Sequence, residues 1–328
     1  MRICILSSFS GKYDEGMGNI AAHIAEELAK TNSVLHLSIE RKSPLCKSFW
    51  ANILKFQPDI IQYIPGPSII SFILLRMLKL CGKAIKTVAL VTQPRFSLFS
   101  CHLIRTLRPD LVICQSSETR TFFIKNGCRT KLLSIGVDID KFVPVPKEKK
   151  IAIRNKYKIP QEKFIILHIG PIKKARNIEI LANLNVNDNQ VIIVGSTTSG
   201  IDARTKTVLE HDGCLVFTQY MENIELIYGI ADCYVFPTRD KYNCIEMPLT
   251  VMESMSCNLP VISTKYGALP SHFAPGDGLY YVETDKDYGY LIEEIKGIAF
   301  VNTRAKVLTY SWANVVSKLN IVYSAVTA

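Results

Sequence analysis

Short runs of apolar residues alternate along the chain with longer amphipathic stretches. Several short runs are apolar throughout, such as VALV at 88–91 and LVIC at 111–114, and such runs are typical of strands covered on both faces in a parallel sheet. The stretch Asn19–Lys30 has apolar residues at helical spacing and predicts a helix after the first strand. Six strands are predicted in the first half of the chain: Arg2–Ser7, Val34–Ile39, Asp59–Ile64, Ile85–Thr92, Leu111–Gln115 and Lys131–Ile135.

The second half of the chain repeats this rhythm. Its predicted strands are Phe164–Ile169, Gln190–Gly195, Cys214–Thr218, Cys233–Pro237, Val261–Thr264 and Leu279–Val282. Its predicted helices are Asn177–Leu184, Glu222–Ile230, Leu249–Cys257 and Lys286–Ala299. Strands that alternate with helices across both halves predict an α/β protein with two doubly wound parallel sheets.

The best candidate for a linker between two domains is Phe142–Lys150, FVPVPKEKK, which holds two prolines and four charges. A chain of 328 residues also corresponds to about two domains at roughly 150 residues each. We therefore expect one Rossmann-like domain over residues 1–144 and a second over residues 151–309.

Composition narrows the class of protein without naming it. A hydrophobic fraction of 48% and a charged fraction of 21% argue against disorder and against a coiled coil. The net charge of +10 suits nucleic acid, an anionic membrane or a phosphorylated small molecule. The basic residues are scattered and form no nucleic-acid recognition motif, so we expect no nucleic-acid partner.

Cysteine usage and apolar content predict a cytoplasmic protein. The ten cysteines include no C-x-x-C pair and mostly lie in apolar runs, as buried thiols in a reducing compartment do. The first residues, MRICILSS, lack the apolar core and cleavage site of a signal peptide. The longest apolar stretch, near Ile69–Leu80, is shorter than a membrane-spanning helix needs.

Two loops that follow strands have residues suited to phosphate. Ser8–Asn19 contains Gly11, Gly16 and Gly18 before a helix, where free amides can bind an anion, although a flexible surface loop explains the glycines equally well. GPIKKARN at 170–177 places three cations at a strand exit, either as a diphosphate site or as a solvated basic turn.

The segment Pro237–Pro270 carries the most informative carboxylate. Glu253 lies in a predicted helix that has Pro248 in its first turn, and its neighbours Val251, Met252 and Met255 are apolar. A carboxylate in that setting needs a partner or a ligand, and a ribose diol offers two donors. An exposed Glu on a polar stripe is the alternative. The histidines His23, His36, His102 and His168 are interpreted as structural, because their spacing fits no metal site.

At this point the sequence resembles the GT-B retaining glycosyltransferases of family 4, also called glycosyl transferases group 1. IEMPLTVMESMSCNLPVIST resembles the donor-binding motif E-G-F-G-x-x-x-x-E-A-M-A-x-G-x-P-V-I of that family. Further similar segments are GVDIDKF at 136–142, HIGPIKKARN at 168–177 and FTQYMENIELIYGIADCYVFPT at 217–238. YSWANVVSKLNIVY at 310–323 resembles the family's last helix, so residues 310–328 are expected to return to the N-terminal domain.

The sequence also departs from the family pattern. The first motif glutamate should lie eight residues before Glu253, where this chain has Ile245, so either Glu246 takes the role after a one-residue shift or the glutamate is absent. Pro171 replaces the frequent arginine after Gly170, and Gln93 stands where many members have a histidine.

The resemblance implies two Rossmann-like domains that face a central cleft, with an acceptor-binding first domain and a donor-binding second domain. It implies transfer of a sugar from a UDP- or GDP-linked donor with retention of configuration, without a metal or cofactor. Lys174, supported by Arg176, would stabilise the diphosphate. Glu253 would bind the ribose hydroxyls, and Glu246 would contact the donor sugar. The remaining donor residues are Gly170, Tyr220, Met247 and Leu249, and the acceptor-side loop is Gly16, Met17, Gly18 and Asn19.

Two alternatives to a transferase fit the same pattern: a sugar-nucleotide epimerase of the GT-B fold, and a non-catalytic GT-B subunit that binds a glycan or a partner. The acceptor of a transferase would be a glycan, a small molecule or a lipid-linked sugar. Ile69–Lys86 is both apolar and basic, through Arg76, Lys79, Lys83 and Lys86. It is either a core helix or a helix that docks the protein on an anionic membrane at the inner face of the cell membrane.

Overall fold

The computed structural model describes residues 1–8, 16–39, 43–82, 84–96 and 101–328. Backbone contacts divide the chain into two units. The first comprises residues 1–136, 245–247 and 312–328, and the second comprises residues 137–244 and 248–311.

The first unit contains a parallel sheet of six strands in the order β2-β1-β3-β4-β5-β6. These strands are β1 (Arg2–Ser7), β2 (Ser33–Ser38), β3 (Ile60–Tyr63), β4 (Lys86–Leu90), β5 (Leu111–Cys114) and β6 (Thr130–Leu132). The strand order reverses direction between β1 and β3. In sheets of this kind that point marks the usual ligand side, at the carboxyl ends of the strands.

Helices cover both faces of this sheet. Cys4 and Leu6 of β1 belong to one apolar cluster with Phe49, Phe72 and Phe123, while the alternate residues of β1 are also fully buried. The helices are α1 (Gly16–Ala29), α2 (Lys47–Phe56), α3 (Ile69–Lys79), α4 (Cys101–Leu107), α5 (Ser117–Lys125) and α13 (Trp312–Thr327). The last of them packs against α1, and its first residue, Trp312, stacks on His23 with the ring centroids 5.0 Å apart.

The second unit has its own six-stranded parallel sheet, in the order β12-β11-β10-β7-β8-β9. Its strands are β7 (Phe164–Ile169), β8 (Asn189–Val194), β9 (Leu215–Phe217), β10 (Cys233–Phe236), β11 (Val261–Thr264) and β12 (Leu279–Val282). Here the order reverses between β7 and β10, so the expected ligand side lies at the carboxyl ends of those two strands.

The second unit's helices surround this sheet and enclose an apolar cluster that includes Ile166, Val191, Val235 and Ile262. They are α6 (Lys147–Lys156), α7 (Ala203–His211), α8 (Ile224–Ile230), α9 (Leu249–Ser256), α10 (Leu269–His272), α11 (Asp287–Lys296) and α12 (Thr303–Val307). Three short 3₁₀ segments, Lys174–Arg176, Ile178–Leu184 and Leu308–Tyr310, complete it.

The α/β class, the two parallel sheets and all twelve predicted strands are confirmed. The central strands were readable because burial on both faces makes them nearly continuous apolar runs, whereas β2 and β6 are only partly buried. Among the described residues no helix is long and apolar enough to cross a membrane.

Four local predictions were wrong. Residues 16–19 are the first turn of α1 and not a loop, and residues 147–150 of the predicted linker are the first turn of α6. Residues 178–184 form a 3₁₀ helix, which follows a left-handed Asn177 with φ of 59°. Pro248 is the N-cap residue that precedes α9, with φ of −65° and ψ of 116°, and is not part of the first helical turn. The glycine at position 11 lies outside the described residues.

Candidate functional site

In the second unit, predicted donor-binding residues lie where the strand order reverses, between β7 and β10. Gly170 directly follows β7, and the 3₁₀ turn Lys174–Arg176 follows a few residues later. Across this point the His168 side chain reaches the carbonyl of Val235 on β10. Three predicted donor residues, Gly170, Lys174 and Arg176, therefore lie at the carboxyl end of one sheet.

Arg176 is a buried cation at this edge. Its relative exposure is 5%, its Nε is buried without a hydrogen-bond partner, and it forms no ion pair with another described residue. It lies over the Phe236 ring, 5.9 Å from the centroid. A cation–π contact contributes about 0.5–2 kcal/mol, which is less than the several kcal/mol that burying an unpaired charge costs. The guanidinium is therefore suited to an anion that the described residues do not supply.

Gly170 lets this guanidinium approach the backbone. A Cβ at position 170 would lie 3.2–3.3 Å from three atoms of the Arg176 guanidinium, and Gly170 has a φ of 153°. Lys173 and Lys174 are both exposed on the same turn and have no ion pair among the described residues. The turn thus offers one buried cation, Arg176, and two exposed ones, Lys173 and Lys174.

His168 is fully buried beside this cation and is held neutral. Burial, and then the charge of Arg176, lower the pKa of His168 to about 3. Since a carbonyl only accepts hydrogen bonds, Nδ1 donates to the Val235 carbonyl at 2.9 Å, which leaves Nε2 unprotonated. The interpretation of His168 as structural agrees with this geometry.

Glu253 lies in the second turn of α9, beside a pair of buried tyrosines. Its Oε2 accepts a hydrogen bond from the Tyr228 hydroxyl at 2.7 Å, and the Tyr228 ring lies 6.0 Å from that of Tyr234. The Tyr234 hydroxyl donates to the carbonyl of Ile169, next to Gly170, at 3.3 Å. Burial raises the pKa of Glu253 to about 7, although Tyr228 and the charge of Lys141 act in the opposite direction.

The other three predicted donor residues, Tyr220, Leu249 and Met247, lie at separate positions in the structure. Tyr220 lies between β9 and α8 and is 45% exposed. Leu249 is the first residue of α9, where the helix amides have no acceptor within the helix. Met247 is fully buried and groups with the first unit, together with Ile245 and Glu246.

Glu246 is held by the first unit. Its Oε1 accepts hydrogen bonds from the hydroxyl of Ser116, at 3.2 Å, and from that of Thr119. Its backbone amide donates to the Thr92 carbonyl at 2.7 Å. Because Ser116 caps α5 and Thr119 lies in its first turn, the carboxylate is fixed at a helix N-terminus, where negative charge is stabilised.

Other polar side chains lie near the carboxyl ends of β4 and β5. Thr92, Gln93 and Gln115 are all buried there, and Gln115 donates to the carbonyl of Val91 at 3.0 Å. The carbonyl of Gln93 would lie 2.3 Å from a Cβ at Gly66, so this approach requires a glycine. The amide of Gly66 in turn contacts the sulfur of Met17, at 3.4 Å.

The predicted residues Gly16, Met17, Gly18 and Asn19 thus belong to a helix start. Met17 is partly exposed and Gly18 is buried. A Cβ at Gly16 would lie 3.1 Å from the side chain of Ile245, so the residue there must be small. At the amino ends of the strands of the first unit's sheet there is a cavity of about 560 Å³, lined by Arg2, Lys30 and Asp59 among others. It contains none of the predicted site residues.

Sequence reasoning missed Ser116, Thr119 and Tyr228. The Ser-x-x-Thr spacing directly after the strand LVIC was a usable signal for the first two, because it places both hydroxyls at a helix start. Tyr228 carried no local signal, since its partner Glu253 is 25 residues away.

Comparison with known proteins agrees with this fold. The family model Glycosyl transferases group 1 matches residues 149–298, which lie almost wholly in the second unit. Sucrose-phosphate synthase from Thermosynechococcus elongatus is similar over 99% of both chains, with a TM-score of 0.80 and 16% identity. Anabaena Alr3699/HepE, in complex with UDP-glucose, covers 99% of this chain and 100% of its own, with a TM-score of 0.75 and 16% identity. The chain therefore has the GT-B glycosyltransferase fold.

Curated proteins extend the likeness to sequence. Sulfoquinovosyl transferase SQD2 of Arabidopsis thaliana is 27% identical over 243 residues, which are 67% of this chain and 45% of the relative. Alpha-galactosylglucosyldiacylglycerol synthase of Streptococcus pneumoniae is 25% identical over 136 residues, which are 38% of this chain and 35% of the relative. The matched segments span less than half the length of these two relatives. The fold and the family match together support a GT-B glycosyltransferase.

Proposed function

We propose that the protein transfers a sugar from a nucleoside diphosphate sugar, with UDP as the nucleotide, to a lipid-linked or glycan acceptor. The observation that carries this proposal is the buried Arg176 guanidinium, which has no anionic partner among the described residues. A diphosphate supplies the missing charge and accepts hydrogen bonds from the planar guanidinium.

The leaving diphosphate develops negative charge as the glycosidic bond breaks, and fixed cations that meet this charge lower the barrier. Arg176 is fixed by burial, and we assign it to binding the diphosphate. Lys174 is exposed on the same turn and can follow the charge as it moves to the leaving oxygen. The free amides at the start of α9, near Met247 and Leu249, would add to this field.

We assign Glu253 to the ribose. A pKa of about 7 means that the carboxyl is about half protonated near neutral pH without ligand. Two ribose hydroxyls that donate to it would favour the charged form and lower this pKa. Two assignments remain predictions from the resemblance: Glu246 to the donor sugar, and Gly170 and Tyr220 to the rest of the donor.

Residues 1–144 would bind the acceptor and residues 151–309 the donor, with 310–328 returning to the first domain. Retention of configuration and independence from metal are proposed on the same resemblance. The name of one relative includes diacylglycerol, which supports a lipid acceptor. A peripheral location at the inner face of the membrane would give access to such an acceptor.

Arg176→Gln tests the central assignment. Since the variant removes a buried charge that has no ion-pair partner among the described residues, we expect its melting temperature to rise or stay unchanged. We expect its affinity for UDP to fall at least about tenfold, as loss of a charged hydrogen bond predicts. Arg204→Gln, at an exposed arginine, is the matched control and should leave both quantities unchanged. Wild-type UDP affinity in Arg176→Gln would refute the assignment.

Turnover is tested with a panel of UDP- and GDP-sugars and with diacylglycerol or oligosaccharide acceptors, with product configuration read by NMR and with EDTA present or absent. Donor-dependent product supports the transferase. Isomerised donor without acceptor would favour an epimerase, and UDP binding without any turnover would favour a non-catalytic subunit.

A further inference from the structure

Helix α3 is apolar on both of its sides. Phe72, Leu75 and Leu78 are fully buried in the core of the first unit. On the outer side Ile70, Ile73, Met77 and Leu80 are exposed by 78%, 42%, 48% and 82%. Their spacing of three, four and three residues places these four side chains on one face of the helix and its C-cap. A helix that is hydrophobic all round normally has both sides covered.

Neighbouring elements add to this exposed apolar area. α4 packs beside α3 and exposes Leu103 by 48%. α2, which covers the same face of the sheet, exposes Leu54 by 53%. We call the outward side chains of Leu54, Ile70, Ile73, Met77, Leu80 and Leu103 the α3 surface.

The sequence segment that contains the α3 surface is strongly basic. Residues 43–110 contain nine lysines and arginines against two aspartates, a net charge of +7 out of +10 for the whole chain. Both aspartates already have cationic partners, since Asp59 pairs with Arg2 and Asp110 pairs with Lys79. Arg76 is exposed at the margin of the apolar face. Lys83, which is one of the nine, lies outside the described residues.

We propose that the α3 surface docks the protein on an anionic phospholipid bilayer. A bilayer interface offers acyl chains for the exposed isoleucines and leucines and phosphates for the cations around them. With 11 residues α3 is about 16 Å long, so it would lie along the interface and not span it. A second copy of this chain is a poorer occupant, because it would bring a second strongly basic surface against the first.

This inference does not depend on the proposed transfer reaction. Flotation of the full chain with vesicles tests it, using equal parts of phosphatidylglycerol and phosphatidylcholine, or phosphatidylcholine alone. We expect binding to the anionic vesicles that weakens as sodium chloride is raised, and weaker binding to the neutral ones. Failure of the wild-type chain to float with anionic vesicles would overturn the proposal.

Substitutions locate the surface. The triple variant Ile70→Gln, Ile73→Gln, Leu80→Gln should lower the partition coefficient at least about tenfold, because it removes most of the exposed apolar area that would leave water. The control triple Ile151→Gln, Leu308→Gln, Ile321→Gln changes residues of the same types that are exposed elsewhere and should bind as the wild type does. Equal binding of the two triples would overturn the proposal.

Two further measurements separate the α3 surface from other roles. Arg76→Gln should weaken binding to the anionic vesicles and leave the weak neutral binding unchanged. UDP affinity should be unchanged in every variant, so that loss of docking is distinct from loss of the donor site. A dimer in solution that the α3 triple dissociates, without any flotation, would assign the surface to a second copy and refute membrane docking.

Discussion

Replacing Glu253 with glutamine should make the protein less sensitive to rising pH. In the folded protein, burial raises the pKa of this carboxyl from its ordinary value of 4.5 to about 7. Glutamine has the shape of the protonated acid, and its carbonyl oxygen can accept the same hydrogen bond from Tyr228. The substitution therefore removes a titration and little else.

Whether the free energy of unfolding rises or falls with pH depends on whether the folded or the unfolded state holds the proton. Below pH 4.5 the carboxyl is protonated in both states, so its contribution to stability is complete. As the pH rises from 4.5 through 7, the unfolded chain has released the proton and the folded chain still holds it, so the free energy of unfolding falls. The full loss is about 3 kcal/mol, at about 1.36 kcal/mol for each unit of pKa difference. About 2.5 kcal/mol of it falls between pH 5 and pH 8.

Urea unfolding followed by far-UV circular dichroism at pH 5 and pH 8 measures this difference. Both tryptophans, Trp50 and Trp312, lie in the first unit, so their fluorescence would not report on α9. Wild type should lose about 2.5 kcal/mol more than Glu253→Gln between the two pH values. Glu222→Gln, at an exposed glutamate, should titrate as wild type does. An equal pH dependence of wild type and Glu253→Gln would refute the argument.

Three further predictions concern the donor site and Glu246. UDP binding should release a fraction of a proton near pH 6.5 and should tighten as the pH rises towards 8, because the ribose hydroxyls favour the charged form of Glu253. Calorimetry in buffers of different ionisation enthalpy measures both effects, and Glu253→Gln should abolish the proton release. The double variant Ser116→Ala, Thr119→Val should lower kcat at least about tenfold with unchanged UDP affinity, since it removes two hydrogen bonds to the Glu246 carboxylate, and an unchanged kcat would count against a role for that residue. Lys174→Ala should lower kcat by about 10²–10³ while the circular dichroism spectrum stays the same, and full activity would refute a role for Lys174 in stabilising the leaving diphosphate.

The sequence was most informative where burial acts on contiguous residues. The central strands of both sheets were visible because a strand buried on both faces is apolar at most positions, as LVIC at 111–114 is. The start of α1 was misjudged because Gly16 and Gly18 have low helix propensity. Tertiary contacts decide that turn, where Gly16 meets Ile245 and Met17 meets the amide of Gly66.

The candidate site was less readable because its state depends on partners far away in the chain. The run KKAR at 173–176 is equally compatible with a solvated turn, and only the fold buries its arginine while leaving both lysines exposed. The carboxylate of Glu246 meets hydroxyls 127 and 130 residues away, and no local pattern encodes that pairing. The environment of Glu253 was anticipated from its apolar neighbours, whereas the tyrosine that donates to it was not.

Two buried arginines of the second unit show why the site assignment depends on Arg176. Arg154 and Arg176 each have a relative exposure of 5%. The guanidinium of Arg154 donates to the carbonyls of Ile230, Gln161 and Lys163, and its Nη2 lies 2.6 Å from a carboxylate oxygen of Asp232. Its charge is fully compensated within the fold, so its role is structural.

Arg176 is equally buried, yet within the described residues its guanidinium meets neither a carboxylate nor a carbonyl. Burying a charge without compensation destabilises a protein by several kcal/mol, and a fold that needed only a filled volume there would be more stable with an apolar side chain. The cost is offset when an anion binds, because the ligand then supplies the missing partner. The contrast between the two arginines therefore supports the proposal that Arg154 stabilises the fold and that Arg176 binds the donor diphosphate.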